Sequence, residues 1–173
     1  MFARYTLGDA PMLNRPLLFH LAASALACGD KDGDDSGATA GGACGSVADA
    51  AFTALVDGVA WESDPASAGW TPNHGDLLSI QGAPADFSSG INGNIGGYTG
   101  PGTYALSDGQ TYAQFVGGAT SSEPGAWVST TGTVEITCDD GTVIEGTVSF
   151  EGTDAGSGTT KVVSSGAFLL QPL

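Results

Sequence analysis

From residue 51 onward, apolar and polar positions alternate in short runs broken by Gly- and Asp-containing pairs. In Thr133-Val134-Glu135-Ile136-Thr137-Cys138, the side chains of Val134, Ile136 and Cys138 fall on one side. A period of two is that of a strand with one buried face. No stretch sustains the 3.6-residue period of a long helix. Ser46-Val47-Ala48-Asp49-Ala50 has room for one short helical turn.

The interruptions predict three hairpins. Asp57-Gly58 separates Phe52–Val56 from Val59–Glu62, and Asp108-Gly109 separates Thr103–Ser107 from Gln110–Val116. Asp-Gly suits a two-residue turn because both positions take positive φ. In the second hairpin, Tyr104 and Leu106 share a face with Ala113 and Phe115. Asp139-Asp140-Gly141 separates Thr133–Cys138 from Thr142–Phe150, with Gly141 at the left-handed position of a three-residue turn. Here Ile144, Val148 and Phe150 point one way. A final strand covers Lys161–Leu170, and Leu77–Gln81 and Ile91–Ile95 are weaker strands. About nine strands predict an all-β fold, an antiparallel β-sandwich or a partly open barrel, over one β domain at 44–173.

The start of the chain has a different pattern. Leu17 to Ala27 is apolar, too short for the ~20 residues of a membrane span and within the ~7–15 of an export h-region. Arg4 and Arg15 precede it, and Ala25 and Ala27 supply small residues before Cys28. This resembles the signal of a bacterial lipoprotein, which implies cleavage after residue 27 and lipid on Cys28. Ala25-Leu26-Ala27 also fits the A-x-A site of ordinary secretion, and Met12 offers a tidier start than Met1. After Cys28, residues 29–43 hold Gly, Asp, Ser, Ala and Thr with one lysine, too little apolar surface to offset chain entropy, so 28–43 reads as the lipidated cysteine and a disordered acidic Gly-rich tether. The expected location is the bacterial cell envelope. Gly29 after Cys28 points, by analogy, to the outer membrane, with the domain facing the periplasm or the exterior.

Several segments resemble an uncharacterised family of β-rich domains in bacterial lipoproteins. They are the strand, Asp-Gly turn and Trp of Phe52–Trp61, Gly102-Thr103-Tyr104, Gly132-Thr133-Val134-Glu135-Ile136-Thr137, Gly146-Thr147-Val148-Ser149-Phe150 and Ser164-Ser165-Gly166-Ala167-Phe168. Each motif alone is generic strand and turn chemistry. The family brings no activity and no catalytic residues.

Charge and cysteines narrow the possible partners. Nineteen Asp and Glu stand against four Lys and Arg, a formal −15, and Lys161 is the only Lys or Arg beyond the tether. Such a surface repels phosphate backbones, so no nucleic-acid partner is expected. With Cys28 lipidated, Cys44 and Cys138 remain, an even pair in an oxidising compartment, and a disulfide between them is expected.

Catalytic chemistry finds little support. Only His74 survives processing, and with Asp76 it falls short of a zinc ligand set. No Gly-x-Ser-x-Gly nucleophile elbow is present. Asp30, Asp32 and Asp34 alternate like the start of a calcium loop, but Asp35 and Gly41 occupy the positions that need Gly and Glu. No catalytic residue, metal or cofactor is expected. Trp70, Tyr98 and Trp127 lie in or beside Gly- and Pro-rich segments. They are the candidate ligand-binding residues if exposed, and core if buried. The function expected is a lipid-anchored, non-catalytic β domain with a binding or structural role. An envelope glycan, peptide or protein is its possible partner, and the membrane is reached through the lipid. The alternatives are a carbohydrate-binding or lipocalin-like small-ligand module and, behind these, a hydrolase.

Overall fold

The computed structural model describes residues 44–46, 50–73, 76–107, 109–119 and 121–173. Cys28, the tether, the helical turn through 47–49 and His74 lie outside them. The described residues form ten strands: β1 (Ala51–Val56), β2 (Val59–Glu62), β3 (Gly69–Asn73), β4 (Leu77–Gly82), β5 (Ser89–Ile95), β6 (Gly102–Ala105), β7 (Tyr112–Gly117), β8 (Gly125–Asp139), β9 (Ile144–Asp154) and β10 (Thr160–Pro172). The fold is all-β, as the alternation predicts.

The strands make one sheet that partly closes into a ring. Neighbours run β10, β9, β8, β7, β5, β4 and β3, and β3 returns to β10. That last contact is short and parallel, Gln171 beside Gly69 and Pro172 beside Trp70. The other pairings are antiparallel. β1 and β2 branch from β10, and β6 from β8. Inward residues from all sides meet in one cluster that includes Phe52, Ile80, Ile91, Phe115, Ile136, Phe150 and Phe168. The interior is therefore filled by side chains.

The first and third hairpins form as expected, β1–β2 with Asp57 at φ 51° and Gly58 at 79°, and β8–β9 with Gly141 at 79°. The second does not. β6 and β7 never pair with each other: β6 lies on β8 from Gly102↔Ile136 to Ala105↔Thr133, and β7 lies on the same edge of β8 from Gln114↔Val128 to Gly117↔Gly125. They run in one direction along that edge, so the chain between them loops out and returns. The Leu106 N–H donates to the Gly132 carbonyl at 3.0 Å, and the Ala113 N–H to Ser129 Oγ at 3.1 Å, on either side of the excursion. Leu106, Ala113 and Phe115 still reach the core, because the edge they share is that of β8.

Two further segments differ from expectation. β3 carries Pro72 and reads as a loop in sequence. It pairs fully with β4, and along its other side only Gly69 and Trp70 are paired, so Pro72 occupies an edge where a missing N–H costs nothing. β8 begins at Gly125 rather than Thr133, so Trp127 sits in a strand. β8 changes register between Ser129 and Thr131, and Gly132 has φ +149°. A Cβ there would fall on the Ser149 carbonyl oxygen and lie 2.6 Å from Phe150 Cβ.

Cys44 and Cys138 form a disulfide, with Cα atoms 5.6 Å apart across 94 residues of sequence. It ties the start of the described domain to the end of β8.

Candidate functional site

Of the three aromatics singled out from sequence, Trp70 and Trp127 belong to the core, and Tyr98, in the loop after β5, is partly buried against it. Trp70 on β3 is 9% exposed and Trp127 on β8 is 4% exposed, and Tyr98 packs against the same cluster. The reason is strand periodicity: Trp70 is in register with Ile80, and Trp127 with Phe115, all inward. Trp127 Nε1 donates to Thr159 Oγ1 at 3.0 Å, and Tyr98 Oη donates to Asp139 Oδ2 at 2.5 Å. Burial, and then the bond to Asp139, raise the Tyr98 pKa above its ordinary value. Trp70 Nε1 has no partner among the described residues. Of the two outcomes open from sequence, Trp70 and Trp127 take the core one, so they are not an exposed ligand-binding surface.

The surface that stands out is the outer face of β4, β5 and β7. Alternation turns Ser79 and Gln81 outward from β4, Asn92 and Asn94 from β5, and Tyr112 and Gln114 from β7. The register aligns them in two rows across the strands. One row runs Thr71, Ser79, Asn94, Tyr112, and the other runs Gln81, Asn92, Gln114, Val128. None of these eight residues is charged, on a chain of formal charge −15.

Hydrogen bonds lock the rows. Ser79 Oγ donates to Asn94 Oδ1 at 2.5 Å, Asn94 Nδ2 donates to Tyr112 Oη at 3.1 Å, and Gln114 Nε2 donates to Asn92 Oδ1 at 2.8 Å. Asn94 is held at both ends of its amide, whereas Asn92 and Gln114 are each held at one end. The Asn92 amide nitrogen and the Gln114 amide oxygen have no partner among the described residues. Two shallow depressions flank Tyr112. One, of about 360 Å³, is lined by Thr111, Gln114, Val128 and Ser129; the other, of about 350 Å³, by Asp76, Asn94, Gly97 and Gln110. Both also contain Gly109, from the loop that replaces the expected second hairpin. The sequence signal for this face was present in Ser79, Asn92, Asn94 and Gln114, but it becomes legible only when register places them side by side.

A second cluster surrounds Lys161. Its Nζ lies 2.6 Å from Glu123 Oε2 and 3.1 Å from Asp57 Oδ2, and it sits 4.8 Å from the Trp127 ring centroid and 5.9 Å from that of Phe115. The hydrogen bond to Glu123 leads in raising its pKa. One lysine against two carboxylates leaves the cluster at a formal −1, beside a depression of about 410 Å³ lined by Asp57, Glu123, Trp127 and Lys161.

The resolved carboxyl shifts do not resemble a general acid. Asp57, Asp86, Asp140 and Asp154 are all held below the ordinary range, first by backbone N–H groups of Val162, Ser88, Val143 and Ser157 respectively. Asp86, Asp140 and Asp154 cap their own turns, and Asp57 ties the β1–β2 turn to β10. Among the described residues no three His, Cys, Asp or Glu gather as a metal site.

Fold and face together define an all-β domain with a filled interior and an amide-rich outer surface. The chain belongs to the family described as Domain of unknown function (DUF6252), which matches residues 48–172. No curated protein and no solved structure matches it.

Proposed function

We propose that this protein is a lipid-anchored component of the bacterial cell envelope whose β domain binds a partner through the outer face of β4, β5 and β7, without catalysis. The observation that carries the reading is an uncharged, preoriented row of amides on a strongly acidic chain. A solvated face of such a protein needs no charge-free stretch, whereas a binding face gains from amides already held by neighbours, because less side-chain freedom is lost on binding. The anchor rests on the short apolar run ending at Cys28, and the tether from 29 to 43 would hold the domain off the membrane. The filled interior favours an outer-face site over a lipocalin-like one. The carboxylates with resolved shifts are held ionised by backbone N–H groups, which supports a structural rather than a proton-transfer role for them.

The test separates anchor from face. Labelled fatty acid should enter the wild type and not Cys28→Ala. Cys28→Ala protein should still sediment with isolated envelopes, and Gln114→Glu in that background should abolish the sedimentation without changing the melting temperature. An unlabelled wild type would remove the anchor. Sedimentation indifferent to Gln114→Glu would remove the face.

A further inference from the structure

We propose that the face carrying Asn92, Asn94, Tyr112 and Gln114 takes a neutral glycan chain, an uncharged polymer of hydroxylated rings. The inference rests on the reading of that face as the binding surface and adds the chemical class of its ligand.

Three observations select this class. First, the two rows themselves hold no charged side chain to neutralise a charged polymer, and the carboxylate of Asp76, which lines one of the flanking depressions, would repel an anionic one. An acidic chain also repels polyanions from its surroundings. Second, the groups on offer are amides and hydroxyls that can donate and accept at once. With Gln114 Nε2 bound to Asn92 Oδ1, the Gln114 oxygen and the Asn92 nitrogen present an acceptor and a donor side by side. Adjacent hydroxyls of a sugar ring, each both donor and acceptor, match that pair. An apolar peptide would bury that pair unsatisfied, which is unfavourable. Third, Tyr112 stands between the two depressions, its hydroxyl held by Asn94 Nδ2. A ring fixed in this way can pack against the C–H face of a sugar while the flanking depressions receive its neighbours.

The spacing agrees. Neighbouring strands lie about 4.8 Å apart, close to the length of one pyranose unit in an extended chain. The row from Gln81 through Asn92 and Gln114 to Val128 crosses β4, β5, β7 and β8. It can therefore follow consecutive sugar units one strand at a time. The depressions are shallow, which suits the interior of a chain rather than a buried terminal sugar.

The experiment is affinity electrophoresis of the full-length protein in a polyoxyethylene detergent, through native gels containing mixed-linkage β-glucan, xyloglucan, mannan or dextran, with alginate as the charged counterpart. The expected result is retardation by at least one neutral polymer and none by alginate. The double variant Asn92→Ala/Gln114→Ala should weaken that retardation at least tenfold. Gln81→Ala, whose exposed side chain takes no part in the bonds above, should weaken it severalfold and serves if the double variant misfolds. Thr147→Ala, on the outer face of β9, should leave it unchanged. The inference is overturned if no neutral polymer retards the protein, or if retardation is indifferent to Asn92, Gln114 and Gln81. If glycans fail while Gln114→Glu still abolishes envelope sedimentation, the face remains the binding surface and only the ligand class falls.

Discussion

Lys161 joins parts of the chain that are far apart in sequence. Asp57 belongs to the β1–β2 turn, Glu123 to the loop before β8, and Trp127 to β8 itself. The carboxylates are well exposed, so their attraction is screened. The contact over Trp127 is drier. Lys161→Met keeps the aliphatic stem and removes the charge, and is expected to cost about 1–2 kcal/mol, read as a lower melting temperature. The pH dependence follows from the directions of the shifts. Asp57 is lowered, so its contribution is present above its unfolded pKa of about 3.9 and is lost as pH falls through the lower folded value. Lys161 is raised, so its contribution is present below about 10.4 and is lost as pH rises through the higher folded value. The Val162 N–H, the leading cause of the Asp57 shift, stays in Lys161→Met, so the gap between the two proteins should be flat near neutrality, narrow clearly at high pH and only slightly at low pH. Tyr98 offers a second check. A tyrosine absorbing at high pH well past the usual range should vanish in Tyr98→Phe and titrate earlier in Asp139→Asn, where the hydrogen bond is kept and the charge is gone.

At the scale of elements, β8 decides the architecture because it carries β7, then β6, on one edge and β9 on the other. Gly132 sits at the change of partner. Gly132→Ala would combine strained backbone with overlap on the neighbouring strand, and is expected to cost about 2–4 kcal/mol. Gly58→Ala has open space around it and only the backbone term, about 1 kcal/mol. Thermal unfolding of the two variants measures the difference. The same strand explains what could be read in advance. Asp57-Gly58 and Gly141 announced their turns because turn chemistry is local. Asp108-Gly109 carries the same signal, yet there the loop leaves and rejoins one long edge, and only the position of β8 tells the two cases apart. Pro72 hid β3 because an edge position is a property of the sheet, not of the tripeptide. Trp70 and Trp127 are obscured in the same way: neighbouring Gly and Pro mask strands whose pairing buries both rings.

For the molecule as a whole, two features matter. The Cys44–Cys138 link closes a long loop, and the chain-entropy treatment assigns such a closure about 4–5 kcal/mol. Reduction should lower the melting temperature markedly without changing the strand signal in circular dichroism at room temperature. The other feature is the uneven distribution of charge. Glu135, Glu145 and Glu151 face outward from β8 and β9, while the rows on β4, β5 and β7 hold none. That unevenness was invisible in the composition, which reports only an acidic chain, and it underlies the claim that function resides on one face. The most direct test is a nitrogen-correlated NMR titration of the full-length protein with a soluble mixed-linkage β-glucan, following the side-chain amide signals. The expected result is concentration-dependent shifts at Asn92, Asn94, Gln114 and Gln81, with Trp127 Nε1 unmoved. Shifts centred on the Lys161 cluster, or none at the face, would contradict it.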